Sequence, residues 1–291
     1  MSREAGGGLL LVHAHPDDEA ISTAGIIARA LAEGRRVDLV TCTGGEEGEI
    51  HDPDLDPAEA GPRLAEIRRA ELECSVAALR EAARDGGELH LHMLGYRDSG
   101  MIGTPSNDRP DVFWRADLSE AVGRLAAIVG EARPAAIVTY DENGNYGHPD
   151  HINAHRIARG AFDAVASVDR FYEVAWSREM WTALTDEMRE RGIAVPWESS
   201  EAAAETGDAP PPEDEDFGTP EAQITTRVDV AAFVEHKRAS MRCHRTQQQD
   251  TGWLLELPDD LALHMLATET FVLRRRRSDA VPEGYSEDWL F

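Results

Sequence analysis

The sequence LLLVHAHPDDE, residues Leu9 to Glu19, joins an apolar run to a dense group of ionisable side chains. Its first four residues, Leu9 to Val12, have the length and the apolar character of a buried strand. Residues 24–31 then carry apolar side chains at helical spacing, and Gly34 follows as a helix-ending residue. This stretch therefore predicts a buried strand, a polar loop and a helix, which together form the first unit of an α/β fold.

The same alternation of strand and helix patterns continues to about residue 170. Strand-like runs occur at Val37 to Thr43, Leu89 to Leu94 and Ala135 to Tyr140, and helical patterns at Arg63 to Arg84 and Leu118 to Glu131. Consecutive βα pairs of this kind predict a Rossmann-like, mostly parallel sheet flanked by helices. In such a sheet the binding crevice lies at the carboxyl ends of the strands, so functional residues are expected in the loops that directly follow strands.

Residues 171–291 follow a less regular pattern. They predict a smaller α+β portion that completes the pocket of a catalytic core formed by residues 1–170. A strand is predicted for Thr225 to Val230, helical character for Ala231 to Arg242, and a further helix and strand between Leu254 and Leu273.

Acidic residues outnumber basic ones, 55 to 29, and give the 291-residue chain a formal charge of −26. Eight of them lie in residues 198–216, which contain no basic residue and include the run Pro210 to Pro212. Such a composition predicts an exposed, mobile loop. A non-specific grip on nucleic acid or on an anionic membrane needs a concentrated basic face. We therefore expect neither of these as a partner.

Three cysteines, Cys42, Cys74 and Cys243, lie far apart and without a CxxC spacing. Their odd number argues against a disulfide framework and favours a reducing compartment. The N-terminus, Met1 to Ala5, lacks the pattern of a signal peptide, and no apolar run approaches ~18 residues. The sequence therefore predicts a cytoplasmic protein, and it carries no signal for a particular oligomeric state.

A second cluster of ionisable residues follows the strand predicted to end at Tyr140. The turn-rich Asp141 to Asn145 leads into YGHPDH, residues Tyr146 to His151. Both clusters contain His-Pro-Asp after a strand, and adjacent parallel strands would bring them to the same edge of the sheet. Imidazole nitrogen and carboxylate oxygen suit Zn²⁺, and a catalytic site keeps about three protein ligands and one open position. Two histidines and one aspartate from the two loops would supply that set.

Taken singly, these residues have simpler interpretations. Asp17 or Asp18 at a helix start would serve as an N-cap. A histidine beside a proline would be structural or would face solvent. The joint pattern favours the metal site.

His13 to Glu19 and His148 to His151 together resemble the paired signatures of the LmbE-like, or PIG-L-type, zinc-dependent N-deacetylases. The resemblance extends over most of the chain. It is closest to the actinobacterial branch that contains the mycothiol-pathway deacetylase and the mycothiol S-conjugate amidase. It implies a Rossmann-like hydrolase that cleaves a linear amide C–N bond. Supporting matches occur at Thr41 to Glu49, Glu66 to Leu72, Arg97 to Gly100 and Thr139 to Gly144.

The resemblance also implies a ligand set and a general base. His15, Asp18 and His151 would bind Zn²⁺, with Fe²⁺ as the alternative ion for two histidines and an aspartate. Asp17 would take the proton of a water molecule that the metal activates. The division is physically sensible, because two adjacent carboxylates cannot point the same way.

Three further residues take supporting roles by the same resemblance. His148 would act as a protonated acid or an electrostatic partner, and the Tyr146 hydroxyl as an added donor to the tetrahedral oxyanion. Asp150 would orient a histidine ring. The proton for the leaving amine would come from His148 or from protonated Asp17, and the sequence leaves that choice open.

Four positions match residues near the substrate in the family. Arg68 and Asp98 would grip sugar and inositol hydroxyls, Glu47 would lie near substrate, and Gln247 would reach back to the pocket. Three of them have a plainer alternative: a solvated or salt-bridged helix residue for Arg68, a loop carboxylate for Glu47, and a polar helix-end residue for Gln247.

The implied substrate is a small N-acyl amino sugar of the N-acetylglucosaminyl-inositol type, from which acetyl is removed. Ser22 stands where the amidases tend to carry lysine, which favours deacetylation, whereas Thr225 to Val228 resembles the amidases. A mycothiol S-conjugate or another N-acetyl sugar is therefore the alternative substrate.

Two other classes of protein fit less well. A nucleotide-binding α/β protein would need a glycine-rich turn after the first strand, whereas the turn here is bulky and acidic and would repel phosphate. A metal-binding regulatory module without turnover would have no use for Asp17 beside Asp18.

Overall fold

The computed structural model describes residues 7–196, 218–248, 252–282 and 284–291. Within these residues the strands are β1 (Leu9–His13), β2 (Arg36–Thr43), β3 (Glu88–Tyr96), β4 (Ala136–Thr139), β5 (Arg170–Ala175), β6 (Thr226–Asp229) and β7 (Thr268–Arg276). The α-helices are α1 (Asp18–Ser22), α2 (Ala24–Ala32), α3 (Pro57–Ala60), α4 (Leu64–Arg80), α5 (Leu118–Ala132), α6 (Gly144–Gly147), α7 (Pro149–Ala164), α8 (Arg178–Glu190), α9 (Val234–Cys243), α10 (Trp253–Glu256) and α11 (Asp259–Leu266). The acidic stretch 198–216 lies outside the described residues. Of the helices in the described part, none has the length and apolar character needed to cross a membrane.

One sheet runs through the described residues in the order β3-β2-β1-β4-β5-β7-β6. β1 to β5 pair in parallel, and β7 is antiparallel to both β5 and β6. The predicted mostly parallel α/β architecture is confirmed. β1 lies between β2 and β4, so the chain changes direction across the sheet at β1. The crevice at the carboxyl ends of β1 and β4 is the place where ligands bind in sheets of this kind.

Helices cover both faces of the sheet, and the side chains of β1 show how. Successive residues of a strand point to opposite faces. Leu9 and Leu11 accordingly pack with residues of α2 and α4, whereas Leu10 and Val12 pack with residues of α5 and α7. All four are fully buried. This burial explains why the run is continuously apolar instead of alternating.

The sheet includes a fifth parallel strand, β5, which begins at Arg170. The irregular sequence pattern beyond residue 170 does not predict this strand. Glu173 interrupts the apolar run of β5 at a buried position. Its carboxylate accepts a hydrogen bond from Arg274 on the neighbouring strand β7. Because this buried charge interrupts the apolar run, the apolar pattern alone does not predict β5. The helix predicted from Arg63 to Arg84 ends earlier, at Arg80.

A buried ion pair joins the C-terminal residues to the core. Lys237 Nζ lies 2.8 Å from Glu269 Oε1, and both side chains are only 2% exposed. The two oxygens of Glu269 also accept the backbone N–H groups of Gly25 and Ile26 at 2.9 and 2.8 Å. These amides belong to the first turn of α2, where backbone donors lack helical partners.

The expectation that the cysteines form no disulfide is wrong. Cys74 on α4 and Cys243 at the end of α9 are joined by a disulfide, with their Cα atoms 5.7 Å apart. Sequence distance misled the prediction, because packing of α9 against α4 brings together residues that are 169 positions apart. Cys42 is a free, buried cysteine.

Candidate active site

Polar residues converge at the carboxyl ends of four adjacent strands. The segment from the end of β1 into α1 contributes residues 13–19, and the segment from the end of β4 into α7 contributes residues 140–151; we call them the loop after β1 and the loop after β4. The loops after β2 and β3 contribute residues 44–49 and 97–100. The pairing of Leu9 with Ala136 aligns β1 and β4 side by side, which brings the two histidine-containing loops together as predicted.

His15, Asp18 and His151 form a compact trio. His151 Nε2 lies 3.3 Å from His15 Nδ1. Asp18 places one oxygen 3.5 Å from His15 Nδ1 and the other 3.5 Å from His151 Nε2. Ligand atoms about 2.1 Å from a tetrahedral ion lie about 3.4 Å from one another. The donor types and their spacing therefore fit such an ion.

Tyr140 connects the two loops, a role that the sequence did not reveal. Its hydroxyl donates to Asp18 Oδ2 at 2.6 Å and accepts the Ala14 backbone N–H at 2.7 Å. Its ring stacks on that of His151, with centroids 4.0 Å apart. Tyr140 thus holds two members of the trio in place. The only sequence signal is its position at the end of a strand, directly before the second loop.

The other ring nitrogen of His15 faces carboxylates. Nε2 lies 3.4 Å from Asp150 Oδ2 and 3.6 Å from Asp98 Oδ1. Ser99 fixes Asp150, because its backbone N–H donates at 2.9 Å and its hydroxyl donates to the second oxygen. Burial lowers the pKa of His15, but the carboxylates of Asp98, Asp150 and Asp18 raise it well above its usual value.

Two further sets of three residues bring potential ligand atoms within 4.8 Å of one another, His15 with His148 and His151, and His15 with Asp98 and Asp150. In the second set, both oxygens of Asp98 and both oxygens of Asp150 accept backbone or hydroxyl hydrogen bonds, whereas in Asp18 the bonds of this kind fall on Oδ2. A metal-bound histidine characteristically donates its other ring N–H to a carboxylate. Nε2 of His15 faces carboxylates in this way, which favours Nδ1 as its ligand atom.

Asp17 occupies a strained position beside the trio. Its φ of 123° and ψ of −31° lie in a region that non-glycine residues rarely adopt. The Arg68 guanidinium donates to Asp17 Oδ2 at 3.2 Å and to the Pro16 carbonyl at 2.7 Å. Burial raises the pKa of Asp17 to about 7, with Arg68 opposing the shift and Asp18 adding to it. Strain of this kind persists where surrounding contacts enforce it, and it clusters at functional sites.

His148 caps α7, and this contact determines the position of its proton. Its Nδ1 accepts the Asp150 backbone N–H at 3.1 Å, so the neutral ring carries its hydrogen on Nε2. Burial and the neighbouring imidazoles of His15 and His151 lower the pKa of His148 to about 2. Its ring centroid is 4.5 Å from that of His15. The ring is therefore a neutral Nε2–H donor next to the trio.

Tyr146 lies at the mouth of the site and is 46% exposed. Its ring meets the edge of His151 with centroids 4.9 Å apart. The surrounding turn takes positive φ values at Gly144, Asn145 and Gly147, conformations that glycine and asparagine tolerate best.

The structure places the four residues matched to the family's substrate positions in different surroundings. Arg68 is buried and donates to Gly45 O as well as to the Pro16–Asp17 segment, so it is not a solvated helix residue. Asp98 is buried and accepts the backbone N–H groups of Gly100 and Glu47.

Glu47 and Gln247 differ in exposure. The Glu47 carboxylate is partly exposed and pairs with Arg97 Nη2 at 2.8 Å. Gln247 is buried and donates to the Glu49 carbonyl at 2.8 Å, which ties the segment after α9 to the loop after β2.

Sequence reasoning missed Tyr140, Ser99, Glu19 and His244 as residues of the site. Glu19 and Ser99 belong to stretches that were recognised, but a carboxylate and a hydroxyl within a motif give no sign of what they contact. His244 lies 225 positions from its partner Glu19. Contacts of this range become visible only in the folded chain.

Comparison with known proteins finds a matching family model and similar proteins of known name. The family model PIG-L, described as GlcNAc-PI de-N-acetylase, matches residues 10–162. A 1D-myo-inositol 2-acetamido-2-deoxy-alpha-D-glucopyranoside deacetylase 1 from Catenulispora acidiphila is 42% identical, over 96% of this chain and 87% of its own. A deacetylase of the same name, without the number, from Thermomonospora curvata is 44% identical over 97% and 95%. The structure of N,N'-diacetylchitobiose deacetylase from Pyrococcus horikoshii shares the fold, with a TM-score of 0.52, 20% identity and coverage of 92% and 84%. The chain belongs to the PIG-L family of GlcNAc-PI de-N-acetylases.

Proposed function

We propose that this protein is a metal-dependent hydrolase that removes the acetyl group from an N-acetylglucosaminyl-inositol. The observation that carries the proposal is the trio of His15, Asp18 and His151, with ligand atoms 3.3 to 3.5 Å apart, beside the strained carboxylate Asp17. The substrate class comes from the names of the relatives that are 42% and 44% identical to this chain.

His15 Nδ1, His151 Nε2 and Asp18 would hold the ion, with Zn²⁺ as the proposed metal and Fe²⁺ as the alternative. When bound, the ion would lower the pKa of a water molecule and polarise the amide carbonyl. Asp150 supports His15 from the far side of the ring, where it accepts from Nε2.

Asp17 is the proposed general base. Its raised pKa, about 7, suits a group that must accept a proton near neutral pH and later return it. Arg68 fixes one of its oxygens and the carbonyl of the preceding residue, so the carboxylate has a defined direction. A base held in this way loses little orientational freedom in the reaction.

His148 is the proposed donor to the oxyanion that develops on the acetyl carbonyl. Its Nδ1 is occupied by the Asp150 amide, which leaves Nε2–H as the group available to substrate. A ring whose pKa is lowered to about 2 is a hydrogen-bond donor and a poor store of an extra proton. We therefore assign delivery of a proton to the leaving amine to Asp17. To Tyr146, at the mouth, we assign the role of an added hydroxyl donor.

Among the residues matched to substrate positions, we assign polyol binding to the partly exposed pair Glu47 and Arg97. Asp98 and Gln247 contact backbone of the surrounding loops, so we assign them to shaping the pocket. Arg68 does the same through the Gly45 carbonyl and also orients Asp17.

The test is a zinc-replete assay of free amine release with N-acetylglucosaminyl-inositol and a mycothiol conjugate offered separately. Deacetylation of the former supports the proposal. Cleavage of the conjugate alone would make the protein an amidase, and turnover of neither would direct the search to another N-acetyl sugar. His151→Ala provides the control, because it should lose metal and activity together.

A further inference from the structure

We propose that Glu19 and His244 form a buried pair whose task is to position the catalytic base Asp17. The inference rests on the proposed function, since it concerns how that base is held. Neither residue contacts the reacting atoms, so both are positioning residues.

Asp17 needs an external restraint because its backbone conformation is unfavourable. A residue in such a region is energetically disfavoured and stays there only when neighbouring contacts over-determine it. The Asp17 backbone N–H donates to Glu19 Oε2 at 3.0 Å. Two residues further along the chain, Glu19 therefore binds the group whose direction sets the unusual φ.

The Glu19 carboxylate is itself held firmly. Its Oε1 accepts from Ser75 Oγ and lies at hydrogen-bonding distance from His244 Nε2, both at 2.6 Å. Ser75 also contacts Ser240 Oγ at 2.7 Å. The side chains of Glu19 and His244 are 0% and 1% exposed. A carboxylate with both oxygens occupied and no access to solvent has one position available to it.

Helix α4 restrains Asp17 from two sides. Arg68 and Ser75 are seven residues apart, which is close to two helical turns, so both point from the same face. Arg68 reaches the Asp17 carboxylate and the Pro16 carbonyl. Ser75 reaches Asp17 through Glu19. One helix, α4, thus fixes the orientation of the Asp17 carboxylate.

The segment that delivers His244 is attached to the same helix. Glu71, between Arg68 and Ser75 on α4, accepts the backbone N–H and the hydroxyl of Thr246 at 2.8 and 2.7 Å. The disulfide joins Cys74 to Cys243, the residues that directly precede Ser75 and His244. These contacts fix His244 relative to Ser75, which explains why a residue so distant in sequence can serve the loop after β1.

The experiment compares two replacements of Glu19 in the full-length, zinc-replete enzyme. Glu19→Gln can still accept the Asp17 N–H while its amide group faces Ser75 and His244. Glu19→Met has a similar length but accepts nothing. We expect Glu19→Met to lower kcat about 100-fold, the effect of misplacing a catalytic group by about 1 Å. KM and bound zinc should be unchanged, and Glu19→Gln should retain at least about tenfold more kcat than Glu19→Met.

Asp38→Asn is the matched control, because Asp38 is also a buried, hydrogen-bonded carboxylate, paired with Arg36 and His92 away from Asp17. It should lower the melting temperature without changing kcat. If Glu19→Met does not fold, His244→Phe and His244→Gln make the same comparison, since glutamine can still donate to Glu19. Equal kcat for the two replacements at either position, or loss of zinc in the folded methionine or phenylalanine variant, would overturn the proposal.

Asp17→Asn separates this inference from the proposed function. Unimpaired turnover in that variant would remove the base role itself. A large loss in Asp17→Asn, combined with equal rates for the two Glu19 variants, would leave the base in place and remove only its positioning by Glu19 and His244.

Discussion

The Tyr140 hydroxyl donates to Asp18 Oδ2 across 2.6 Å and ties the end of β4 to the loop after β1. Burial and the neighbouring Asp18 carboxylate raise the pKa of Tyr140 well above its usual value, so the hydroxyl keeps its proton and remains a donor. The same oxygen accepts the Ala14 amide. Tyr140 thus supports both the Asp18 carboxylate of one loop and, by stacking, the His151 imidazole of the other.

Tyr140→Phe should weaken zinc binding about 10- to 100-fold, the usual effect of removing a partner that orients a metal ligand. The ring remains to stack on His151, so the fold should survive, as circular dichroism would show. Zinc affinity is measured by competition with a chromophoric chelator. Tyr96→Phe is the control, because the Tyr96 hydroxyl also donates to a carboxylate, on exposed Glu120. Equal affinity in the two variants would contradict the support role of Tyr140.

Zinc affinity should rise with pH. In the metal-free protein the His15 imidazole is protonated on both nitrogens, because neighbouring carboxylates outweigh the effect of burial and raise its pKa well above the usual value. Binding at Nδ1 must displace that proton, so the apparent affinity should increase about tenfold per pH unit until the pH exceeds the pKa of His15. Calorimetry in buffers of different ionisation enthalpy would count the released protons.

The matched variant for this pH dependence is Asp98→Asn. Asp98 is the strongest of the charges that raise the pKa of His15. Its removal should lower that pKa and shift the plateau of zinc affinity to lower pH. An unchanged pH dependence would show that His15 is not the group that releases the proton.

Lys237→Met should lower the free energy of unfolding by about 3–5 kcal/mol, because it leaves Glu269 as an uncompensated buried charge. Denaturation by urea measures the effect. The additional change Glu269→Gln should recover part of the loss, since glutamine can remain buried without a cation. Arg63→Met, which breaks an exposed pair with Glu66, should change stability by less than about 1 kcal/mol. If Lys237→Met lowered the free energy of unfolding as little as Arg63→Met does, the ion pair would not hold the C-terminal residues to α2.

Removal of the disulfide by Cys74→Ser together with Cys243→Ser should lower the free energy of unfolding by about 2–4 kcal/mol, since the bond closes a long loop in the unfolded chain. The two residues are 169 positions apart. Reduction of the wild-type protein with dithiothreitol should have the same effect, and it should leave the double variant unchanged. A wild-type protein insensitive to dithiothreitol would show that the two cysteines are not bonded in solution.

Much of the fold was predictable because the relevant signals are local. The continuous apolar run of Leu9 to Val12 is typical of a strand buried on both faces, and β1 is such a strand. β5 was not predictable in this way, because buried Glu173 is acceptable only when Arg274 from another strand neutralises it. A sequence pattern reflects only a residue and its neighbours along the chain, and Arg274 lies 101 positions from Glu173.

The candidate site divides in the same manner. The sequence pattern places His15, Asp17, Asp18, His148 and His151 shortly after two strands, and parallel pairing of those strands brings the five residues to one edge of the sheet.

Which atoms face one another follows from the folded chain alone. It turns Nδ1 of His15 toward His151 and Nε2 toward Asp150, adds Tyr140 and Glu19 as supports, and brings His244 and the disulfide to α4. These contacts join residues between 122 and 225 positions apart, except for the one between Asp17 and Glu19. They depend on packing between helices and strands, and packing has no signature in the spacing of residues along a chain.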